Sequence, residues 1–248
     1  MPPILLGALI GLALCQVALF LTTVFLHRTL SHKAMTLSPP LRMAFRFATW
    51  ILTGIRPRQW VAVHRKHHAY TDVPGDPHSP VIEGFWAVQL GNVALYRKAA
   101  RDQSIVNKYA KDLPEDAWDR IIFNRSLVGL AIGVAVLYFI FGAEVAIVAA
   151  VVHTVSYLLL NAAVNAVGHV FGSRDYENTA TNNQWLAWLT AGEGLHNNHH
   201  AAPTAARLAF SQGQIDPGWW VISLFAKMGL AQVRHSTVRF KGTPTKVA

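Results

Sequence analysis

From Ile4 to Leu26 the chain carries no charged side chain. A helix rises ~1.5 Å per residue, so such a run is long enough to cross ~30 Å of hydrocarbon. Inside a bilayer only helices and closed barrels satisfy their own backbone, which narrows the possible folds sharply. The competing reading is a secretory signal peptide, which needs a basic leading region and a small-residue cleavage site. No Lys or Arg precedes Arg28, and the run ends among histidines, so the sequence reads as a retained span. Ile121–Phe141 and Val145–Val167 read as two further apolar spans, and the turn Gly142-Ala143-Glu144 joins them into a hairpin. Composition agrees: 14% of residues are charged, against ~25% in soluble domains. The expectation is an all-α integral membrane protein, one domain over residues 1–248. It has three transmembrane helices (4–26, 121–141, 145–167), interfacial helices, and a cytoplasmic helical cap.

Ser38-Pro39-Pro40 signals a helix start. The following stretch, Leu41 to Ile55, is apolar but holds Arg42 and Arg46, so it suits the membrane surface. Val81–Ala100, with Trp86 and Tyr96, reads as a second surface helix. Val221–Leu230, after Asp216-Pro217-Gly218-Trp219-Trp220, reads as another with an aromatic anchor. Residues 101–120 are the most charged and belong in water. Three spans put all 22 Lys and Arg on one side or at its boundary. The positive-inside rule makes residues 27–120 and 168–248 cytoplasmic and places the N-terminus opposite, in a multi-pass protein of the cell inner membrane. The net charge of +9 then points to anionic head groups, or to an anionic substrate carrier, and not to nucleic acid. The single cysteine, Cys15, excludes internal disulfides and thiolate metal sites.

Nine of the 12 histidines fall into a pattern. His64-Arg65-Lys66-His67-His68 and His196-Asn197-Asn198-His199-His200 repeat one spacing. On a helix, residues three and four apart share a face, so each motif can offer three imidazoles together. His27 and His32, five apart, diverge on an ideal α-helix and converge only where the helix ends. Asn165 and His169 form a further pair at the inner end of the last span, where a polar residue needs a partner. The remaining three are His78 in a loop, a candidate to support a ligand; His153, a helix–helix contact; and His235, in the tail. Neutral imidazole suits iron, copper, zinc or nickel. Nine nitrogens are too many for one ion, so two ions with open positions are expected. Soluble di-iron enzymes use paired Glu-x-x-His motifs. This chain has one such match, Glu193 to His196, which leaves a carboxylate-poor, histidine-rich centre. Asp72, Asp76 and Glu193 are candidates to orient the imidazoles, by sequence proximity.

His27-Arg28-x-x-Ser31-His32, His64 through Asp72, and Gly192-Glu193-Gly194-x-His196-Asn197-Asn198-His199-His200 resemble the three histidine boxes of the membrane fatty-acid desaturases, closest to the acyl-CoA branch. Trp60 and Gly75-Asp76-Pro77-His78-Ser79-Pro80 resemble the bacterial members. The likeness runs from about Leu26 to about Leu230. It implies two iron ions held by His27, His32, His64, His67, His68, His169, His196, His199 and His200, with Asn165 acting through water. It also implies dioxygen as co-substrate, removal of two hydrogens from an acyl chain on CoA or a lipid, and a cis double bond with water as co-product. The family usually has two spans before the first box, and this chain has room for one; a first span is either absent or lies upstream. No His-Pro-Gly-Gly haem motif is present, so electrons are expected from a separate ferredoxin-like or cytochrome-like donor. Arg56, Arg58, Arg65, Lys66 and Trp60 are candidate head-group contacts. A hydroxylase would use the same centre. A metal transporter would line its spans with histidine, and only His153 lies deep.

Overall fold

The computed structural model describes residues 1–234; the expectation for His235 lies outside them. The first helix, α1 (Pro3–Leu21), continues without a break into a π-helical segment, π1 (Thr22–Ser31). The apolar rod is therefore 29 residues long, longer than the expected span. The last long helix, α7 (Ala143–Val170), has 28 residues. The two run parallel. Gly7-Ala8-Leu9-Ile10-Gly11 makes this close approach possible: a Cβ on Gly11 would stand 2.7 Å from the carbonyl oxygen of Ala149, and one on Gly7 2.8 Å from Cβ of Val148. Small residues four apart let helix backbones touch, which is how helices associate inside lipid. Because the pair is parallel, His27 and His169 arrive at the same end.

The expected span Ile121–Phe141 is not one helix. A π-helical turn, π2 (Asp119–Phe123), comes first; Asn124 and Arg125 interrupt; α6 (Ser126–Phe141) follows with 16 residues. Its length is ~24 Å at 1.5 Å per residue, shorter than the two rods that are long and apolar enough to cross a membrane. The break coincides with Arg125, whose charge opposes continuation into lipid. The hairpin to α7 forms at Gly142, φ +83°. A second Gly-x-x-x-Gly, Gly129 to Gly133, packs α6 on α2 (Pro39–Thr53), with the Gly129 Cβ position 2.6 Å from the Trp50 carbonyl oxygen.

The second box lies on α3 (Pro57–Ala69), which packs on π1. Next come α4 (Phe85–Arg101), which lies against α7, and α5 (Gln103–Tyr109). Beyond α7 a compact cap holds α8 (Gln184–Leu189), α9 (His196–Ala201) and α10 (Pro217–Lys227). A small antiparallel pair, β1 (Met35–Leu37) with β2 (Ala231–Val233), ties the end of the cap to the first box, in the register Thr36 opposite Gln232. Its core joins Leu21, Val24 and Phe25 of the first rod to Phe45 and Ile222.

Candidate metal centre

The first box depends on the π winding. An i→i+5 hydrogen bond, His32 N–H to the His27 carbonyl at 3.1 Å, closes its last turn. Thr29 and Ser31 hydroxyls donate to carbonyls five residues back at 2.7 and 2.8 Å, reinforcing that pitch. Residues five apart then share a face, and the His27 and His32 rings stand 4.8 Å apart. Such windings are rare and concentrate at functional sites. Arg65 supports the end of π1 by donating to the Leu30 and Ser31 carbonyls.

Nine imidazoles gather into two sets. In each, one ring nitrogen per residue lies within 4.8 Å of every other. One set is His27, His32, His64, His68 and His199; the other is His67, His169, His196 and His200. The two repeated motifs split in opposite senses. On α3 the i,i+4 pair His64/His68 joins the five-member set and His67 the four-member set. On α9 the pair His196/His200 joins the four-member set and His199 the five-member set.

Three carboxylates fix the rings. Asp76 accepts from Nδ1 of His67 at 2.9 Å, Asp72 from Nδ1 of His169 at 2.7 Å, and Glu193 from Nδ1 of His27 at 2.8 Å. A carboxylate only accepts, so each Nδ1 carries the proton and each Nε2 presents a lone pair. Nε2 of His67 and of His169 are buried and have no protein partner. In the five-member set, Nε2 of His27 lies 3.0 Å from Nε2 of His199, and His32 Nε2 lies 2.7 Å from His64 Nε2. Imidazole nitrogens bind a metal at ~2 Å, and two such ligands at right angles stand ~3 Å apart. The converging lone pairs match that donor geometry. Burial, then the crowd of neighbouring imidazoles, holds His32, His64, His68, His196, His199 and His200 well below the ordinary histidine value, so they are neutral and able to ligate. Burial alone would raise the carboxyls. Bonds from His169 and Ser79 outweigh it at Asp72, from His67 at Asp76, and at Glu193 the hydrogen-bonded His27 ring together with the Arg28 guanidinium and the Thr23 hydroxyl, so all three are held below the usual carboxylate range.

Asn165 lies one turn before His169, outside both sets; its Nδ2 is 3.5 Å from the Asn161 carbonyl, and the residue lines a cavity. That cavity, about 870 Å³, is lined by His27, His64 and His196, by Leu52, Tyr157 and Val164, and by Arg56, Arg97, Arg101 and Arg125. Among the described residues none of these four arginines has a carboxylate within ion-pair distance. The candidate head-group residues take different places, and Arg56 donates to the Asn124 carbonyl. Arg65 is spent on the Leu30, Ser31 and Tyr109 carbonyls and on Asp112. Arg58 donates to Asn107 at 3.0 Å, and Lys66 lies off the cavity wall. Arg56 and Trp60 do line it, Trp60 stacked on the His64 ring at 4.9 Å.

Several supporting residues were not singled out in the sequence. Arg28, 1% exposed, uses all five N–H groups, on Thr23, on the Ala191 and Ala206 carbonyls and on both oxygens of Asp216. Thr23 in turn donates to Glu193. Asn197 and Asn198, fully buried between the box histidines, bond to Tyr176, Asn178, Ala180, Asn182, Leu208 and Gln214 and so anchor α9. Two asparagines inside a histidine motif were the available signal. His78 packs 5.0 Å from His67 and lines the cavity, with both ring nitrogens buried and without a protein partner. His153 donates from Nε2 to the Leu52 carbonyl at 2.8 Å, a contact between helices as expected.

The fatty acid desaturase family profile matches residues 2–214. The acyl-CoA C20 Delta5-desaturase of Anemone leveillei is 35% identical over 225 residues, covering 88% of this chain and 70% of the relative. Two Arabidopsis thaliana proteins are also similar. The Delta-9 desaturase-like 5 protein is 34% identical (83% of this chain, 69% of the relative), and Delta-9 acyl-lipid desaturase 1 is 31% identical (84% and 68%). With the match spanning most of the chain and both histidine sets, this protein belongs to the fatty acid desaturase family.

Proposed function

We propose that the chain, read as one domain over residues 1–248, desaturates a fatty acyl chain presented on a phosphate-bearing carrier. The observation that carries this is the pairing of two converging imidazole sets with one cavity whose lining includes His27, His64 and His196 together with four arginines that have no carboxylate partner among the described residues. Two iron ions, when bound by the nine histidines, supply the oxidation of an unactivated C–H bond by dioxygen. The net change is –CH2–CH2– + O2 + 2 e⁻ + 2 H⁺ → –CH=CH– + 2 H2O. A separate ferredoxin-like or cytochrome-like donor supplies the electrons.

The residues divide the work. Asp72, Asp76 and Glu193 hold three rings with their lone pairs turned inward. Asn165, one turn from His169, is placed to hold a water at the four-member set. Trp60 covers the His64 ring on the cavity side. Leu52, Tyr157, Leu158 and Val164 line the path of the chain. Arg56, Arg97, Arg101 and Arg125 receive the anionic carrier, since guanidinium groups bind phosphate through charge-assisted hydrogen bonds. The cap faces the cytoplasm, α1 and the α6–α7 hairpin cross the inner membrane, and the N-terminus lies opposite.

The test is expression in cells fed defined saturated acyl chains, with mass spectrometry of the extracted lipids. A new double bond is expected, absent with His196→Ala. A hydroxylated product without unsaturation would show a hydroxylase instead.

A further inference from the structure

Two short helices of the cap carry an apolar surface that the proposed reaction does not use. On α8, Trp185, Trp188 and Leu189 are 82%, 45% and 50% exposed; on α10 and its C-terminal capping residue, Trp220, Leu224 and Met228 are 55%, 53% and 60% exposed. These positions are spaced i, i+3, i+4 and i, i+4, i+8, so each helix shows one apolar face. The faces are continuous, with the Trp188 and Trp220 rings 5.8 Å apart. Isolated exposed apolar residues need no explanation, but a contiguous patch marks an interaction site.

The position of the patch selects the partner. A rod that enters hydrocarbon near Pro3 leaves it after ~20 residues, close to Val24. The buried side of α10 packs there: Ile222, Trp219 and Phe225 join the cluster of Leu21, Val24 and Phe25. α8 is tied to the other long rod, where its capping residue Asn183 donates to the carbonyl of Phe171, the residue that ends α7. Both helices therefore sit where the two rods emerge. Tryptophan concentrates at this level in membrane proteins because its ring is apolar and its N–H is polar.

We propose that the α8–α10 face is a membrane-docking surface, inserted in the head-group layer of a phospholipid bilayer beside the spans. The proposal rests on the membrane-embedded reading above. It also links lipid to the metal centre. Asp216 accepts from the Trp219 N–H at the start of α10 at 3.0 Å and chelates Arg28 beside the first box. Seating α10 in the bilayer holds that clamp in place.

The test uses the full chain in nanodiscs of phosphatidylcholine and phosphatidylglycerol with brominated acyl chains, which quench nearby tryptophan fluorescence. Three of the eight tryptophans belong to the patch. Trp185→Phe/Trp188→Phe/Trp220→Phe is expected to lower the lipid-quenched emission by about a third. Should the triple variant not fold, the single Trp185→Phe and Trp220→Phe variants carry the same readout. A chain that never enters the discs overturns the membrane reading and this proposal with it. A chain that enters with unchanged lipid quenching overturns this proposal alone. So does a wild type that fills discs as a dimer and a triple variant that fills them as a monomer, because the patch then binds a second copy.

Discussion

The five-member and four-member histidine sets are built from the same motifs yet are supported differently. The five-member set draws on π1, α3 and α9, and its nitrogens are close-packed, tip to tip. A single carboxylate, Glu193, serves it, and Arg28 braces that region. The four-member set draws on α3, α7 and α9. Two carboxylates serve it, its His67 and His169 lone pairs meet no protein partner, and Asn165 and His78 stand nearby. The difference suggests a division of labour: one half filled by protein nitrogens, the other with room for a small oxygen ligand.

The largest expected effect separates the halves. His196→Ala and His199→Ala should each abolish turnover, by more than a thousandfold, while each leaves one metal per chain, measured by elemental analysis after iron loading. Loss of both metals from either variant would mean that the sets are not independent.

Next is Arg28→Met with Asp216→Leu as its companion. Removing one partner of a buried ion pair costs about 3–5 kcal/mol, so Arg28→Met alone should lower the melting temperature markedly. The double substitution should recover much of that loss. Equal melting temperatures for wild type and Arg28→Met would remove the clamp from the account.

A smaller effect distinguishes the orienting carboxylates. Loss of such a partner typically weakens metal binding about 10–100-fold. Asp76→Asn should do this to the four-member set and Glu193→Gln to the five-member set, read by competition with a chelator. If both variants weaken the same metal, the pairing of carboxylate to set is wrong.

The smallest effect concerns pH. The Arg65 hydrogen bond, then Lys33, against the opposing effect of burial, holds the Asp112 carboxyl below its ordinary value. Its stabilisation of the Arg65 clamp on π1 is thus fully present above the unfolded value of ~3.9 and is lost as pH falls through the lower folded value. Wild type should melt higher than Asp112→Asn at pH 7, with the gap closing in strong acid. A gap independent of pH would show that the carboxylate contributes no charge-dependent stability.

Much of this was legible in the sequence where chemistry follows local spacing. The repeated His-x-x-His-His marked the six imidazoles that α3 and α9 bring together, and two of the apolar runs marked the rods Pro3–Ser31 and Ala143–Val170. The division into five and four was not legible, because it depends on how α3 and α9 face each other. The π winding was hidden too: Thr22–Ser31 has no composition that separates π from α pitch, so the meeting of His27 and His32 at a helix end was expected but not the winding that brings it about. Asp72 lies 97 residues from His169, so sequence proximity offered the carboxylate without its partner. Arg125 falls inside the expected span Ile121–Phe141, and only the break before α6 places it on the cavity wall. The two Gly-x-x-x-Gly runs were not singled out in the sequence; the structure shows them as residues whose missing side chains set the helix spacing.

Mössbauer spectroscopy of the chain loaded with iron-57 tests the central claim most directly. Two histidine sets with unequal nitrogen counts predict two quadrupole doublets of equal area at two irons per chain, with one doublet lost in His196→Ala. A single doublet at one iron per chain would contradict the two-site account.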